Sequence, residues 1–259
     1  MVQASLVLMG NFAGESVVVA VPCPAVARIQ PSGGARHMDV HEALYTTRMM
    51  RRLRPDPVPL EVQVRILDAA IRAPNGGNTQ RWHFLAVDDP NTKLELATVY
   101  RSCRTREYAD IAAGKLARPV HDAQAHAETM RRIKSSGDYF TEHFAEIPLL
   151  MFVFAIDDHG GANIYPAIWS ALLAARAEGV GGVITTVLRY EAQRVMTLLE
   201  VPAGEGWRMI AMLALGYPLG RWGVAANRRP VHEVSSRNRW GRGFGRTIPS
   251  PLWPGEAPA

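Results

Sequence analysis

The sequence predicts an α/β or α+β sandwich, and three observations carry that expectation. Two uninterrupted apolar runs of strand length stand out, PLLMFVFAI at 148–156 and WRMIAMLAL at 207–215. Runs of this length without alternation suit strands buried on both faces. Long helical patterns separate the few strands, which suits helices layered on a sheet. The 259 residues are 47% hydrophobic, enough to bury a substantial core, so whole-chain disorder is excluded.

Each element follows in order. Val40, Ala43, Leu44 and Met50 recur among polar residues over 39–50, and Asp39 can cap a short helix there. Pro55, Pro57 and Pro59 impose an extended connector. Over 60–73, Val64, Leu67 and Ile71 mark an apolar stripe flanked by Val62, Ile66, Ala69 and Ala70, a buried helix ended before Pro74. Asn75-Gly76-Gly77-Asn78 is a loop tolerant of positive φ. Residues 83–87 read as a strand and 92–100 as a helix. The polar, basic middle, 101–146, reads as two helices with Pro119 near their junction. After the first apolar run come a helix over 162–178, a glycine-led strand or turn GGVITT over 181–186, and a helix over 190–199. Beyond Arg221 the chain is rich in Arg, Pro, Gly and Trp without a period, a tail lacking its own core.

The domain reading is a flexible extension over 1–37, a main domain over 38–220 and an arm over 221–259. The extension has no positive charge before its apolar part, which argues against a secretory signal. Met38 opens a newly patterned segment and is read as an alternative or true start. Two cysteines, Cys23 and Cys103, cannot build a disulfide framework. A reducing, cytoplasmic setting is therefore expected. No apolar run reaches the length of a membrane span.

The net charge is +5, and only three of the 29 basic residues are lysines, Lys93, Lys115 and Lys134. Arginine suits bidentate phosphate binding, although codon usage explains such a bias equally well. The arginines are spread along the chain instead of interleaving with aromatics on one stretch, so a nucleic-acid partner is not expected. Walker A, G-x-S-x-G and G-x-G-x-x-G patterns are absent. His121 and His126 are five apart and share no helical face, so no metal site is expected, and His83 and His143 read as structural. Cys103 lies among Arg101, Arg104 and Arg106, an environment that lowers a thiol pKa.

Three segments carry chemistry. RMMRRLR at 48–54 clusters guanidinium groups suited to a phosphate, or forms a solvated basic face. RAPNGGNTQRW at 72–82 offers amide donors around paired glycines, or is a helix-terminating turn. Gly216-Tyr217-Pro218 is followed by Arg228-Arg229-Pro230, a distant basic pair.

Together these segments resemble the FMN-dependent nitroreductase family. That family shows an R-x-S-x-R/K-like segment, P-V-P, a helix, and A-P-S-x-x-N-x-Q-P-W. The chain reads TTRMMRRLRPDPVP, then RAPNGGNTQRWHFLAV, then GVGGVITT, LGYP and an arginine before P-x-x-E-V, collinear over about 39–240. The resemblance implies an α+β three-layer sandwich with a central, mostly antiparallel sheet flanked by helices. It also implies an obligate homodimer exchanging terminal arms, with two FMN sites at the interface. Arg48 and Arg51 or Arg52 would hold the phosphate. The usual serine falls at Met49 or Met50, leaving backbone amides to serve. Asn75, Asn78 and Gln80 would form the loop near the ring or ribityl chain, with Arg81 in place of the usual proline. Ile184, Thr185 and Thr186 would line the ring. Arg229, with Arg228, would complete the phosphate site, with Asn227 where the family often has lysine.

The resemblance implies ping-pong chemistry: hydride passes from NADPH or NADH to flavin N5, then on to a nitro compound, quinone or activated alkene. The flavin does the redox work, so no side-chain nucleophile is required. The middle segment would form a lid, with Tyr108, Tyr139, Phe140 and Phe144 shaping the acceptor pocket or packing the core. Arg104, Arg106, Lys115 and Arg118 would attract an anionic donor or acceptor, or form a solvated surface. Burial of Trp222, Trp240, Phe244 and Trp253 on a partner would offset ordering of the arm. A deazaflavin donor, a flavin-destructase or dehalogenase role for which no lid pattern speaks, and an FMN storage protein without turnover are the alternatives.

Overall fold

The computed structural model describes residues 38–116, 123–223, 228–249 and 252, together with four short strands near the N-terminus. Pro119, His121, Arg118, Asn227 and Trp253 lie outside the described residues, as does most of 1–37, Cys23 included. The chain divides into two units, Met1–Ala35 and Arg36–Ala259. In the first, β1 (Leu6–Leu8) pairs antiparallel with β4 (Val19–Val21), and β2 (Asn11–Phe12) with β3 (Glu15–Ser16). The sequence reading placed no regular element there. The paired β1 and β4 are nevertheless built from Leu, Val and Ala, and valine favours strands.

The second unit begins with α1 (Val40–Thr46), where the Asp39 carboxylate accepts from the His41 N–H at 2.6 Å. Then come α2 (Leu60–Ala70), β5 (Trp82–Val87), α3 (Pro90–Ala112), α4 (Ala123–Glu142), β6 (Leu149–Ala155), α5 (Ile164–Ala177), β7 (Gly181–Thr185), α6 (Ala192–Leu198), β8 (Arg208–Gly216) and α7 (Val231–Val234). The four later strands form one antiparallel sheet in the order β5-β6-β8-β7. β6 is wholly buried because helices cover both faces. Its odd residues Met151 and Val153 pack with Ile66, Ile168 and Ala171 of α2 and α5, while its even residues Phe152 and Phe154 pack with Leu96, Tyr100 and Cys103 of α3. The result is the α+β sandwich with a central antiparallel sheet. The β6–β8 register shifts between Val153 and Phe154. Ile210 and Ala211 consequently both join the α2–α5 core, as a bulge requires.

Three sequence expectations change. The buried stripe of α2 is Val62, Ile66 and Ala70, whereas Val64 and Ile71 are exposed. An apolar helix packed on one side buries one i, i+4 row and leaves the other. The helix placed at 92–100 continues to Ala112, started by the Asp89 cap at 2.7 Å from the Thr92 nitrogen with Pro90 at its first position. Nothing breaks it before Gly114. In the tail, Trp222 already packs within its own chain, with the Arg176 guanidinium 4.2 Å from its ring, whereas Trp240 is fully exposed. Among the described residues, no helix is long and apolar enough to cross a membrane.

Candidate functional site

The arginine-rich segment is laid along the open edge of β7. The Met50 N–H donates to the Gly182 carbonyl at 2.8 Å, Met49 bridges Gly182 in parallel, and the Ile184 N–H donates to Met49 Sδ at 3.4 Å. Further on, the Arg54 N–H reaches the Tyr217 carbonyl at 2.7 Å, and the Leu219 N–H the Arg52 carbonyl at 3.0 Å. Three separate motifs, 48–54, 181–186 and 216–218, thus form one wall. Gly181 faces this wall, where a Cβ would stand 3.0 Å from Met50 Sδ and 3.3 Å from Pro218 Cβ, while Gly182 lets β7 approach β8, where a Cβ would lie 2.7 Å from the Ala214 carbonyl oxygen. Of Met49 and Met50, the two places where the usual serine could fall, Met49 accepts from the Ile184 amide through its thioether and Met50 is buried.

The side chains of the segment differ in exposure. Met50 is buried, Arg51 half-buried, and Arg48 and Arg52 exposed. Arg48 Nη2 donates to the Arg221 carbonyl. The Arg52 guanidinium lies 4.7 Å from the Tyr139 ring centre. Arg51 faces Tyr100, Arg104 and Glu107 of α3, and burial lowers its pKa. The Tyr100 hydroxyl, pushed up by burial, shares a hydrogen bond with Thr185. Thr185 Oγ1 accepts from the Val187 N–H at 3.3 Å, and Thr186 is exposed at the strand end.

The second motif forms a tight loop before β5. Gly77, Asn78 and Gln80 have φ of 60°, 51° and 50°. The Asn75 Oδ1 accepts from the Gln80 N–H at 2.9 Å, which holds the turn closed. The Gln80 side chain donates to the Asn78 carbonyl at 3.4 Å. Sequence reasoning missed the anchor. Buried Asp158 accepts from the Asn163 and Ile164 N–H groups, each at 3.0 Å, and Asn163 Oδ1 accepts from the Gly76 N–H at 2.7 Å. The Asp-to-Asn spacing before an apolar helix was its signal. Arg81 forms an ion pair with Asp157, so the position usually held by proline is fixed by charge.

The motifs do not all meet within one chain. β5 and β7 are opposite edges of the sheet. Trp82 is in register with Ala155 and Arg208, but Gly182 with Leu215 and hence Leu149, at the other end of the strands. Three strand spacings alone amount to about 14 Å. Arg228 and Arg229 are exposed, and Arg229 pairs with Glu233 at 3.2 Å inside the arm.

Other expectations are corrected. Cys103 is fully buried, and burial pushes its thiol up despite the neighbouring arginines. Arg104 is not a solvated surface residue: its side chain is 12% exposed and ion-paired with Glu107. Phe140 and Phe144 are core, with Tyr100 stacked on Phe144 at 4.6 Å. The Tyr100, Arg104, Glu107 face was legible only as an i, i+4, i+7 row in a polar helix.

Two buried polar atoms beside this wall have no hydrogen-bond partner among the described residues, Thr47 Oγ1 and Arg104 Nε. Natural proteins seldom leave such groups unsatisfied. With guanidinium donors and strand-end hydroxyls alongside, the residues offer the positive charge and hydrogen-bonding groups that a phosphorylated ligand requires.

Residues 44–217 match the family model described as the Nitroreductase family. An NADH dehydrogenase of Thermus thermophilus is 29% identical over 203 residues, covering 76% of this chain and 95% of that protein. A 5,6-dimethylbenzimidazole synthase of Rhodospirillum rubrum is 31% identical over 192 residues, covering 68% and 81%. The FMN-dependent nitroreductase NfnB of Mycobacterium smegmatis, solved in complex with NADPH, superposes with a TM-score of 0.60 at 20% identity, covering 77% and 97%. With more than half of its length matched by one family model, and that relative at 31% identity spanning most of both proteins, the chain belongs to the Nitroreductase family.

Proposed function

We propose that this protein is an FMN-dependent oxidoreductase, drawing electrons from NADPH or NADH and passing them to a nitro compound, quinone or activated alkene. The observation that carries the reading is the arginine-rich segment held by backbone hydrogen bonds along β7, with Thr185 and Thr186 at the strand end. Bound FMN supplies the two-electron chemistry. The chain's residues bind and orient it. Arg48, Arg51 and Arg52 supply positive charge for the phosphate. Ile184, Thr185 and Thr186 present amide and hydroxyl groups beside the ring, and donors fixed in advance need no reorganisation when charge develops.

A homodimer completes the site. The Asn75, Asn78 and Gln80 loop and the arginine segment occupy opposite edges and ends of one sheet. A partner's loop brings them together. The exposed arm, with Arg228, Arg229, Trp240 and Phe244, is the element with which each protomer would grip the other. The reading of a deazaflavin donor draws on the basic middle of the chain. There Arg104, Lys115 and Lys134 are ion-paired with Glu107, Asp110 and Asp138.

The test is spectroscopic. The purified protein, supplemented with FMN, is expected to sediment as a dimer carrying flavin absorbance. The colour should bleach anaerobically with NADPH or NADH and return with a nitroaromatic. A protein that takes up no FMN would end this reading, and a yellow protein that neither nicotinamide bleaches would favour storage.

A further inference from the structure

Beyond β8 the chain turns back along the arginine segment. The Arg54 N–H donates to the Tyr217 carbonyl at 2.7 Å, Leu53 bridges Pro218 antiparallel, and the Leu219 N–H donates to the Arg52 carbonyl at 3.0 Å. The pairing ends on a side chain, because Arg48 Nη2 donates to the Arg221 carbonyl. The next residue, Trp222, is half-buried, and the Arg176 guanidinium lies 4.2 Å from its ring centre. Arg176 is itself buried in the last turn of α5 and tied to α1. Its Nε donates to Thr46 Oγ1 at 3.0 Å and its Nη2 to Glu42 Oε1 at 3.1 Å, while the Thr46 hydroxyl donates to the Glu42 carbonyl at 2.7 Å. Helix α1 ends at Thr46, two residues before Arg48. The contacts therefore close a ring: the start of the arginine segment and the root of the arm are both fastened to one buried guanidinium. Arg48 is exposed, and an exposed arginine free to sample its rotamers loses much entropy when a ligand fixes it. Held by one donor on a backbone carbonyl, it keeps its other N–H groups for an anion, and a binding group fixed in advance raises affinity.

We propose that Trp222 and Arg176 are positioning residues of the cofactor site: clamped together, they fix the Arg221 carbonyl, which holds the Arg48 guanidinium ready for a phosphate. This rests on the flavin reading above, in which Arg48 supplies charge for the phosphate of FMN. The root of the arm thus belongs to the phosphate site of its own protomer.

FMN and riboflavin dissociation constants are measured for the wild type, Trp222→Leu, Trp222→Phe, Arg48→Met and the double variant Arg48→Met with Trp222→Leu. Leucine keeps apolar volume but offers the cation no ring face, and phenylalanine offers a weaker one than tryptophan. Release of Arg48 restores its rotamers, so the FMN Kd is expected to rise about three- to tenfold in Trp222→Leu and less in Trp222→Phe. Riboflavin, which has no phosphate, should bind unchanged. In the Arg48→Met background Trp222→Leu should add nothing, a result that a merely structural role of the indole would not produce. If Trp222→Leu does not fold, Trp222→Phe alone and combined with Arg48→Met decides the matter. The proposal falls if FMN and riboflavin weaken together, or if the loss recurs in the Arg48→Met background. It falls too if Arg48→Met binds FMN like the wild type, or if the folded Trp222 variants bind FMN as tightly or more tightly. Tighter binding would mean that the carbonyl competes with the phosphate for Arg48. A wild type that binds no FMN refutes the flavin reading itself.

Discussion

The two helical layers covering the sheet are built on different principles. On one face, α2 and α5 meet the sheet through Ile66, Ala70, Ile164, Ile168 and Ala171, all without solvent exposure, and the Arg65–Glu178 pair sits at the margin. On the other, α3 and α4 combine an aromatic cluster of Tyr100, Phe140 and Phe144 with a web of charge through Arg104, Glu107, Tyr108, Lys134 and Asp138. Apolar packing needs only volume and is indifferent to direction. Hydrogen-bonded charge fixes direction, and it lies against the segment proposed to hold a cofactor. The first layer therefore secures stability, while the second trades part of its apolar area for directed polar contacts beside that segment, among them the Arg52 guanidinium over the Tyr139 ring.

The sharpest way to break this comparison is a cavity in the apolar layer. Ile168→Ala empties a site of 0% exposure and is expected to cost about 2–5 kcal/mol. The urea midpoint should fall with an unchanged slope, while the FMN Kd of the folded protein stays within twofold. A large loss of affinity at unaltered stability would show that the layers are not separable.

A smaller effect is expected from the other layer. Tyr100→Phe keeps the stack on Phe144 and removes the hydroxyl bonded to Thr185. About 1 kcal/mol of stability should be lost. Because Thr185 then loses its restraint at the end of β7, FMN binding should weaken severalfold in an equilibrium titration. Unchanged affinity would disconnect α3 from the site.

How much of this was legible in the sequence follows from the same contrast. Continuous apolar runs announce buried strands directly: β6 lies within the first run, and β8 covers all of the second but Trp207 and extends one residue past it to Gly216. The arginine segment and GGVITT were legible as separate motifs, but their adjacency was not. It arises from backbone hydrogen bonds between Met50 and Gly182 that leave no mark on side-chain pattern. Arg104 was unreadable for another reason. A charged residue in a polar helix looks solvated, and only Gly137 on a second helix reveals that it is buried. The exposure of Val64 and Ile71 was equally hidden, since an apolar helix does not declare which row faces inward.

The mildest test concerns the ion pair at the margin of the apolar layer. Arg65 donates through Nε and Nη2 to both oxygens of Glu178, each at 2.8 Å. Hydrogen bonding to Arg65, outweighing desolvation, holds the Glu178 carboxyl below its ordinary value. A depressed carboxylate stabilises the fold above its unfolded pKa and loses that contribution as pH falls through the folded value. The side chains are 24% and 16% exposed, so solvent screening keeps the contribution to about 1 kcal/mol. Glu178→Gln should therefore be less stable than wild type by a constant amount between about pH 6 and 8. The gap should close as pH drops below about 4, as read from paired urea titrations. A gap that persists in acid would mean that glutamine disturbs the packing of α2 on α5, and that the pair acts through shape instead of charge.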